Sequence, residues 1–142
     1  MENKLFVDTW GWLTLHNRNE AKHQEVVNFY RSFTSQNKVI YTTDYVLDET
    51  FTLFFKRLYP ALARQSMESL IEVFKREKFK LVWINDERFF EAQKLWVRFM
   101  DKPQISFTDL TSMVVMKELG IELVLTGDAH FMQLGMGFQK IP

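Results

Sequence analysis

Residues 121–128 read Ile-Glu-Leu-Val-Leu-Thr-Gly-Asp, and this segment is the most informative one for the fold class. Its apolar run predicts a buried strand over residues 121–126. The preceding residue, Gly120, is typical of the glycine that follows a helix end, so a helix is predicted over Phe107 to Leu119. That helix is apolar nearly all round, as buried helices are. A buried helix that leads directly into a buried strand indicates an α/β fold.

The same alternation of strands and helices runs through the rest of the chain. Apolar or β-branched runs predict further strands at Lys4–Asp8, Val39–Thr43 and Leu81–Ile84, with a short edge strand at Phe138–Ile141. Helical patterns lie between them, at Trp10–Leu15, from an Asn19 cap to Phe33, at Asp44–Leu58, from Pro60 onward, and after a cap at Asn85 or Asp86. Strands that are apolar throughout favour a parallel sheet with both faces covered. We therefore predict a single domain over residues 1–142, a three-layer α/β/α sandwich with a central parallel sheet of four to five strands.

The composition excludes several classes of protein. With 142 residues, 46% of them hydrophobic, the chain can bury roughly 68–70% of its unfolded surface. The absence of cysteine excludes disulfide frameworks, thiol nucleophiles and zinc sites built on thiolates. No stretch has the ~20 consecutive apolar residues of a membrane span, and the apolar run at the N-terminus is too short for a signal peptide. These features predict a cytoplasmic protein.

The charge is balanced in total but uneven along the chain. The 18 basic and 18 acidic residues give a net charge of zero, which argues against a general polycation that coats nucleic acid. Residues 56–102, however, carry 11 basic and 7 acidic side chains, while both flanking segments are net negative. Lys75, Arg76 and Lys78 lie in this basic middle segment. We consider them candidate RNA-binding residues, and the alternative is that they belong to solvated helix faces.

Two acidic residues follow predicted strands. Asp8 ends the first strand, and Asp128 lies two residues beyond Thr126, where the fourth strand ends. In open parallel sheets the binding crevice lies outside the carboxyl ends of the strands. Either aspartate alone could equally cap the helix that follows it.

Two further acidic residues lie on helices among apolar neighbours. Glu49 shares a helix stripe with Val46 and Leu53, and Asp109 stands in the first turn of the apolar helix 107–119. Asp109 also fits a capping box that begins at Ser106. Glu49 could instead point to solvent if the helix is rotated. In that case Asp48 or Asp44 would point inward, although Asp44 is better explained as a helix cap.

The four carboxylates can meet at one edge of a parallel sheet. Four such groups within a few ångströms repel strongly and cannot all stay ionised without a cation. Oxygen ligands without thiolates select Mg²⁺ or Mn²⁺ over zinc. Hard cations with remaining water ligands activate water and stabilise charge on a phosphodiester. The sequence therefore predicts a metal site for phosphoryl chemistry.

Four motifs in order resemble those of a known family. They are Phe6-Val7-Asp8-Thr9, Leu47-Asp48-Glu49-Thr50, Ser106-Phe107-Thr108-Asp109, and Leu-Thr-Gly-Asp-Ala-His-Phe at residues 125–131. Together they resemble the PIN domain, of the kind found in VapC-type toxins of bacterial toxin–antitoxin pairs, and the resemblance covers the chain from Leu5 to Ile141. The resemblance implies a metal-dependent endoribonuclease with a parallel-sheet sandwich fold, whose products carry a 5′-phosphate and a 3′-hydroxyl.

The resemblance also implies roles for individual residues and partners. The family's acidic metal-binding quartet is matched by Asp8, Glu49, Asp109 and Asp128, and its supporting hydroxyl residue by Thr126. His130 stands where many relatives carry an aspartate, and we expect it to pack at the mouth of the last turn. The implied partners are an RNA substrate, an antitoxin that blocks the site with an Arg or Lys, and a second copy of the chain in a homodimer. The implied cofactor is Mg²⁺ or Mn²⁺.

Other interpretations require residues that this chain lacks. A haloacid-dehalogenase-type phosphatase needs a second aspartate two residues after the first, where this chain has Trp10. A receiver domain needs paired acids and a late-strand lysine, and neither is evident. The remaining alternative is a PIN-like module that binds RNA or protein without cleaving, and four retained carboxylates argue against it. His16 and His23 are predicted to lie in a polar surface helix, outside the site.

Overall fold

The computed structural model describes residues 2–142, and a parallel sheet lies at its centre. The strands are β1 (Lys4–Val7), β2 (Val39–Thr43), β3 (Phe79–Val82), β4 (Leu123–Leu125) and β5 (Gln139–Ile141). Their order across the sheet is β3-β2-β1-β4-β5, and every neighbouring pair is parallel. The short edge strand predicted near the C-terminus is therefore present.

Helices connect the strands and cover the sheet. They are α1 (Thr9–His16), α2 (His23–Thr34), α3 (Asp44–Arg57), α4 (Pro60–Val73), α5 (Asp86–Arg98), α6 (Phe107–Leu119) and α7 (His130–Gln133). Helix α1 packs on α2 and α3, and α3 packs on α4, while α6 packs on α5 and α7. Because parallel crossovers are right-handed, connections that step outward in opposite directions from β1 place their helices on opposite faces. This arrangement confirms the predicted α/β/α sandwich.

The strand order places a ligand-binding crevice between β1 and β4. From β1 the chain steps outward to β2 and β3, then returns to the other side of β1 to form β4 and β5. Ligands in open α/β sheets bind outside the carboxyl ends of the strands at such a switch point. Asp8 directly follows β1 and Asp128 comes shortly after β4, so both flank this point.

Helix α1 is held closely on the sheet just after Asp8. The Trp12 ring is buried, packs edge-on against Tyr30 and Phe74, and donates from Nε1 to Thr42 Oγ1 at 3.2 Å. Gly11 permits this approach, since a Cβ there would lie 2.8 Å from the Leu125 carbonyl oxygen. The backbone around the first candidate acid is therefore fixed by packing rather than by local preference alone.

Several predicted boundaries were wrong by a few residues. The third strand covers residues 79–82 instead of 81–84, and the fourth covers 123–125 instead of 121–126. Asn19 does not cap α2, which begins four residues later at His23. Thr43, not Asp44, caps α3 by accepting from the Val46 backbone N–H at 3.1 Å.

Asp44 has a tertiary role instead, because its Oδ1 accepts from the Ile84 backbone N–H at 2.7 Å. The bond ties the start of α3 to the chain that leaves β3.

Among the helices of residues 2–142, none has the length and apolar character needed to cross a membrane.

Candidate active site

A cavity of about 490 Å³ opens at the carboxyl edge of the sheet. All four carboxylates singled out from the sequence line it, namely Asp8, Glu49, Asp109 and Asp128. Within residues 2–142, its lining includes neither Asp44 nor Asp48. The rotation of α3 inferred from the apolar stripe is therefore the observed one, and Glu49 stands exposed on the cavity wall.

Asp8 is the most buried of the four. It is only 6% exposed, and its Oδ2 accepts a hydrogen bond from Thr126 Oγ1 at 2.9 Å. In the described chain its side chain makes no capping hydrogen bond to α1, so capping does not explain this aspartate. Burial raises the pKa of Asp8 to about 7, and the neighbouring Asp109 carboxyl adds to the rise. A carboxylate held under these conditions favours a bound cation.

Thr126 connects the two aspartates that follow strands. Its fully buried hydroxyl donates to Asp8 and accepts from the Asp128 backbone N–H at 3.1 Å. Asp128 Oδ1 in turn accepts from the His130 backbone N–H at 2.9 Å. One threonine therefore holds the Asp8 carboxylate and the backbone turn that carries Asp128.

Asp109 combines helix capping with a place in the cavity. Its Oδ2 accepts from the Ser106 backbone N–H at 3.2 Å, and its own N–H donates to Ser106 Oγ at 3.0 Å, which completes a capping box. The same side chain is 8% exposed and lines the cavity. Burial raises the pKa of Asp109 even though the bonds to Ser106 and His130 act against the rise. Asp109 therefore caps α6 and lines the cavity at the same time.

His130 was expected to pack at the turn, and this expectation was wrong. Its Nδ1 lies 2.7 Å from Asp128 Oδ2 and 3.2 Å from Asp109 Oδ2. The imidazole ring reaches into the acidic cluster because Asp128 turns the chain back at this point and starts the short helix α7. Sequence periodicity cannot detect such a contact, since it depends on the turn after β4.

Asp109, Asp128 and His130 fit a divalent cation. Each offers one ligand atom, and these atoms lie within 4.8 Å of one another. Two carboxylate oxygens and one imidazole nitrogen suit a hard or borderline divalent ion. All three groups bind a metal in their deprotonated form, so a cation would replace any proton between them. Asp8 and Glu49 add carboxylates from other walls of the same cavity.

The candidate RNA-binding residues Lys75, Arg76 and Lys78 lie far from this cluster. They immediately precede the amino end of β3, and Lys78 accepts from the Ile40 backbone N–H at the start of β2. In an all-parallel sheet this is the edge opposite the carboxylates. Their role in binding RNA stays a prediction, but they do not border the cavity.

A different basic side chain borders the cavity, and no motif in the sequence had singled it out. Arg57 lines it together with Leu53 and Glu49 from the same helix. These three residues are spaced four apart along α3, so the stripe that identified Glu49 also contains Arg57. Trp10 forms another wall, where its ring packs so closely on Gly127 that a Cβ there would lie 2.5 Å away.

The prediction that His16 and His23 share one polar surface helix was wrong, because only His23 lies in such a helix. His16 ends α1 and packs edge-on against Phe54, with ring centroids 5.2 Å apart. Burial lowers the pKa of His16 to about 4. His23 begins α2, and its Nδ1 lies 2.7 Å from the Thr14 carbonyl oxygen. Both have structural contacts, and neither lines the acidic cavity.

A parallel sheet in this order, with an acidic cavity at its carboxyl edge, defines a class of α/β proteins with an acidic site at the switch point of the sheet. The PIN domain model matches residues 5–135, and the chain belongs to this family. It is 29% identical over 131 residues to the 23S rRNA-specific endonuclease VapC20 of Mycobacterium tuberculosis (strain H37Rv), covering 92% of this chain and 94% of the relative.

Solved structures show the same likeness. A crystal structure of Mycobacterium tuberculosis VapC20, named as a Sarcin-Ricin loop cleaving toxin, matches with a TM-score of 0.78 and 28% identity, covering 92% of this chain and 95% of that one. VapBC2 from Rickettsia felis, bound to a DNA fragment from its promoter, matches with a TM-score of 0.69 over 97% of both chains. Its identity is 11%, so this second likeness concerns the fold alone.

Proposed function

We propose that this protein is a metal-dependent endoribonuclease and the toxin of a toxin–antitoxin pair. The observation that carries the proposal is the convergence of Asp8, Glu49, Asp109 and Asp128 on one cavity at the switch point of the sheet. A module that only binds RNA gains nothing from four carboxylates at its binding site, because they repel the phosphate backbone. With a divalent cation the same four groups support phosphodiester hydrolysis.

The residues present suit Mg²⁺ or Mn²⁺ as the cofactor. Asp109, Asp128 and His130 would hold the ion, with Asp8 as a further ligand. When bound, such an ion lowers the pKa of water and offsets charge on the phosphate. Thr126 fixes the Asp8 carboxylate and the turn that carries Asp128, so the ligands are oriented before substrate arrives.

We assign Glu49 to the attacking water rather than to the metal ion. It is exposed on the cavity wall, where its carboxylate can accept a hydrogen bond from the attacking water. As the water oxygen bonds to phosphorus, Glu49 would take up its proton, the bond to the 3′-oxygen breaks, and the leaving oxygen takes a proton from solvent. The products then carry a 5′-phosphate and a 3′-hydroxyl.

The substrate and partners follow from the likeness to VapC20. We infer that the substrate is ribosomal RNA, with the loop named for that relative as the first target to test. A cognate antitoxin would block the acidic cavity with a cationic side chain, since four carboxylates without a metal attract an Arg or Lys. We further propose a homodimer and a cytoplasmic location, where ribosomal RNA is accessible.

The test is cleavage of intact bacterial ribosomes and of purified ribosomal RNA by the protein with Mg²⁺, with Mn²⁺ and with EDTA. Asp109→Asn removes a cavity carboxylate, and Asp48→Asn removes an exposed carboxylate on α3 that does not line the cavity. We expect discrete cuts that need the metal, that Asp109→Asn abolishes and that Asp48→Asn retains. RNA that is bound by the unmodified protein but not cut with either metal would support the non-cleaving module instead.

A further inference from the structure

The acidic cavity needs a positive group that can hold the RNA chain. A single divalent ion does not offset four carboxylates and a phosphodiester together. Among the described residues that line the cavity, Arg57 is the only lysine or arginine. The basic group at Lys75, Arg76 and Lys78 cannot serve this purpose at the cavity, because it lies at the opposite edge of the sheet.

Arg57 stands at the end of the cavity wall formed by α3. It lies eight residues after Glu49, which is about 12 Å along a helix axis. Helical side chains lean toward the helix N-terminus, so the guanidinium leans along the cavity wall toward Leu53 and Glu49. At this spacing Arg57 and Glu49 do not meet at one phosphate, so Arg57 is placed to reach a phosphate other than the scissile one.

The Arg57 guanidinium is uncommitted within residues 2–142. No ion pair and no side-chain hydrogen bond involves it there, although four carboxylates line the same cavity. Other arginines are engaged, such as Arg64 with Glu68 and Arg88 with Glu118. Arg57 therefore does not neutralise the acidic cluster, and its five N–H donors remain available to an external anion.

We propose that Arg57 is the residue that binds an RNA phosphate flanking the scissile bond. The planar guanidinium can donate two parallel hydrogen bonds to a phosphate, which fixes both the position and the direction of the RNA strand. Gln104 also lines the cavity, but it is uncharged and its Nε2 donates to Gln133 Oε1 at 3.3 Å. This inference rests on the proposed nuclease function, since it assigns a substrate contact.

Lys56 provides a matched control for Arg57. It is the neighbouring exposed cation on α3, it has no ion pair in the described residues, and it does not line the cavity. Lys56→Gln and Arg57→Gln each remove one positive charge from the same helix turn. A difference between them therefore reports the position of the charge rather than the net charge of the protein.

Binding is measured first, by fluorescence anisotropy with a labelled RNA hairpin that carries the sarcin–ricin loop sequence, at several salt concentrations. All proteins carry Asp109→Asn, so that no cleavage occurs. We expect Arg57→Gln to weaken binding about tenfold and to lower the salt slope by roughly 0.7 to 0.9, while Lys56→Gln changes both much less. Arg57→Lys should restore the slope but only part of the affinity, since a lysine lacks the planar fork.

Cleavage by the otherwise unmodified protein gives a second readout. Arg57→Gln should raise KM about tenfold and change kcat less than about twofold, because the contact is made before the chemical step. Equal effects of Arg57→Gln and Lys56→Gln on affinity and slope would overturn the inference, as would a loss in kcat at unchanged KM. Failure of the nuclease function itself shows differently, as RNA binding that depends on Arg57 without cleavage in any metal.

Discussion

Replacing Asp8 with asparagine is expected to stabilise the metal-free protein at alkaline pH while it removes cleavage. The carboxyl is 6% exposed, and its pKa rises to about 7 from 3.8 because of burial and the nearby Asp109. Asparagine has nearly the same shape, and its Oδ1 can still accept from Thr126 Oγ1. The substitution therefore removes the charge and keeps the hydrogen bond.

The direction and the size of this change in the free energy of unfolding follow from proton linkage. Between pH 3.8 and about 7 the folded protein keeps a proton on Asp8 that the unfolded chain has lost. The stability from Asp8 is thus fully present below pH 3.8 and is lost as the pH rises through 7. A shift of roughly 3 pKa units costs about 4 kcal/mol at high pH and about 2 kcal/mol near pH 5. Asp8→Asn lacks this cost.

The assay is urea unfolding in EDTA at about pH 5 and about pH 8. The free energy of unfolding of Asp8→Asn, relative to the unmodified protein, should rise by about 2 kcal/mol between these pH values. Asp48→Asn removes an exposed charge on α3 and should show no such rise. Mg²⁺ or Mn²⁺ should then stabilise the unmodified protein more than Asp8→Asn. A difference that is the same at both pH values would refute the argument that the buried charge carries the cost.

Three further predictions concern stability and the support of the site. The pKa of His16 is lowered to about 4 from 6.5, so the stability that its neutral ring contributes is complete above pH 6.5 and falls by about 3 kcal/mol as the pH drops toward 4. Urea unfolding of the His16→Leu variant should lack this pH dependence, and an NMR titration of the His16 ring near pH 6.5 would contradict the prediction. Thr126→Val removes the hydroxyl between Asp8 and Asp128, so kcat for RNA cleavage should fall roughly 10- to 100-fold while the circular dichroism spectrum stays native. An unchanged kcat would mean that Thr126 does not support the site. Gly11→Ala places a Cβ 2.8 Å from the Leu125 carbonyl oxygen, and thermal unfolding should show that the free energy of unfolding falls by roughly 1–3 kcal/mol. An unchanged unfolding midpoint would mean that α1 can move away from the sheet without a loss of stability.

Local patterns predicted much of the fold and identified the four acidic residues. Buried strands are short apolar runs, helix ends have characteristic residues, and an acid directly after a buried strand stands out in any single sequence. The helix period was enough to choose Glu49 over Asp48, because the apolar neighbours of Glu49 define the face that packs inward. The all-parallel sheet then explains why these acids meet, since the carboxyl ends of parallel strands share one edge.

Other features depend on residues that are distant in sequence, and the patterns could not predict them. The contact between Thr126 and Asp8 spans 118 positions, and it exists because β4 pairs with β1 rather than with β3. The burial of His16 against Phe54 and the backbone bond made by Asp44 likewise come from packing between separate elements. Propensity and periodicity describe a chain over one or two turns, so they carry no information on such partners.

The class of fold, the family and the candidate carboxylates could be inferred from the amino-acid sequence alone, because each is encoded in local order along the chain. The tertiary structure decided which other groups join them. It brought His130 into the acidic cluster, placed Arg57 at the cavity wall and moved Lys75, Arg76 and Lys78 to the far edge of the sheet. The physical reason is that strand order and helix docking are set by burial of the whole core, and only that arrangement fixes which side chains face the same cavity.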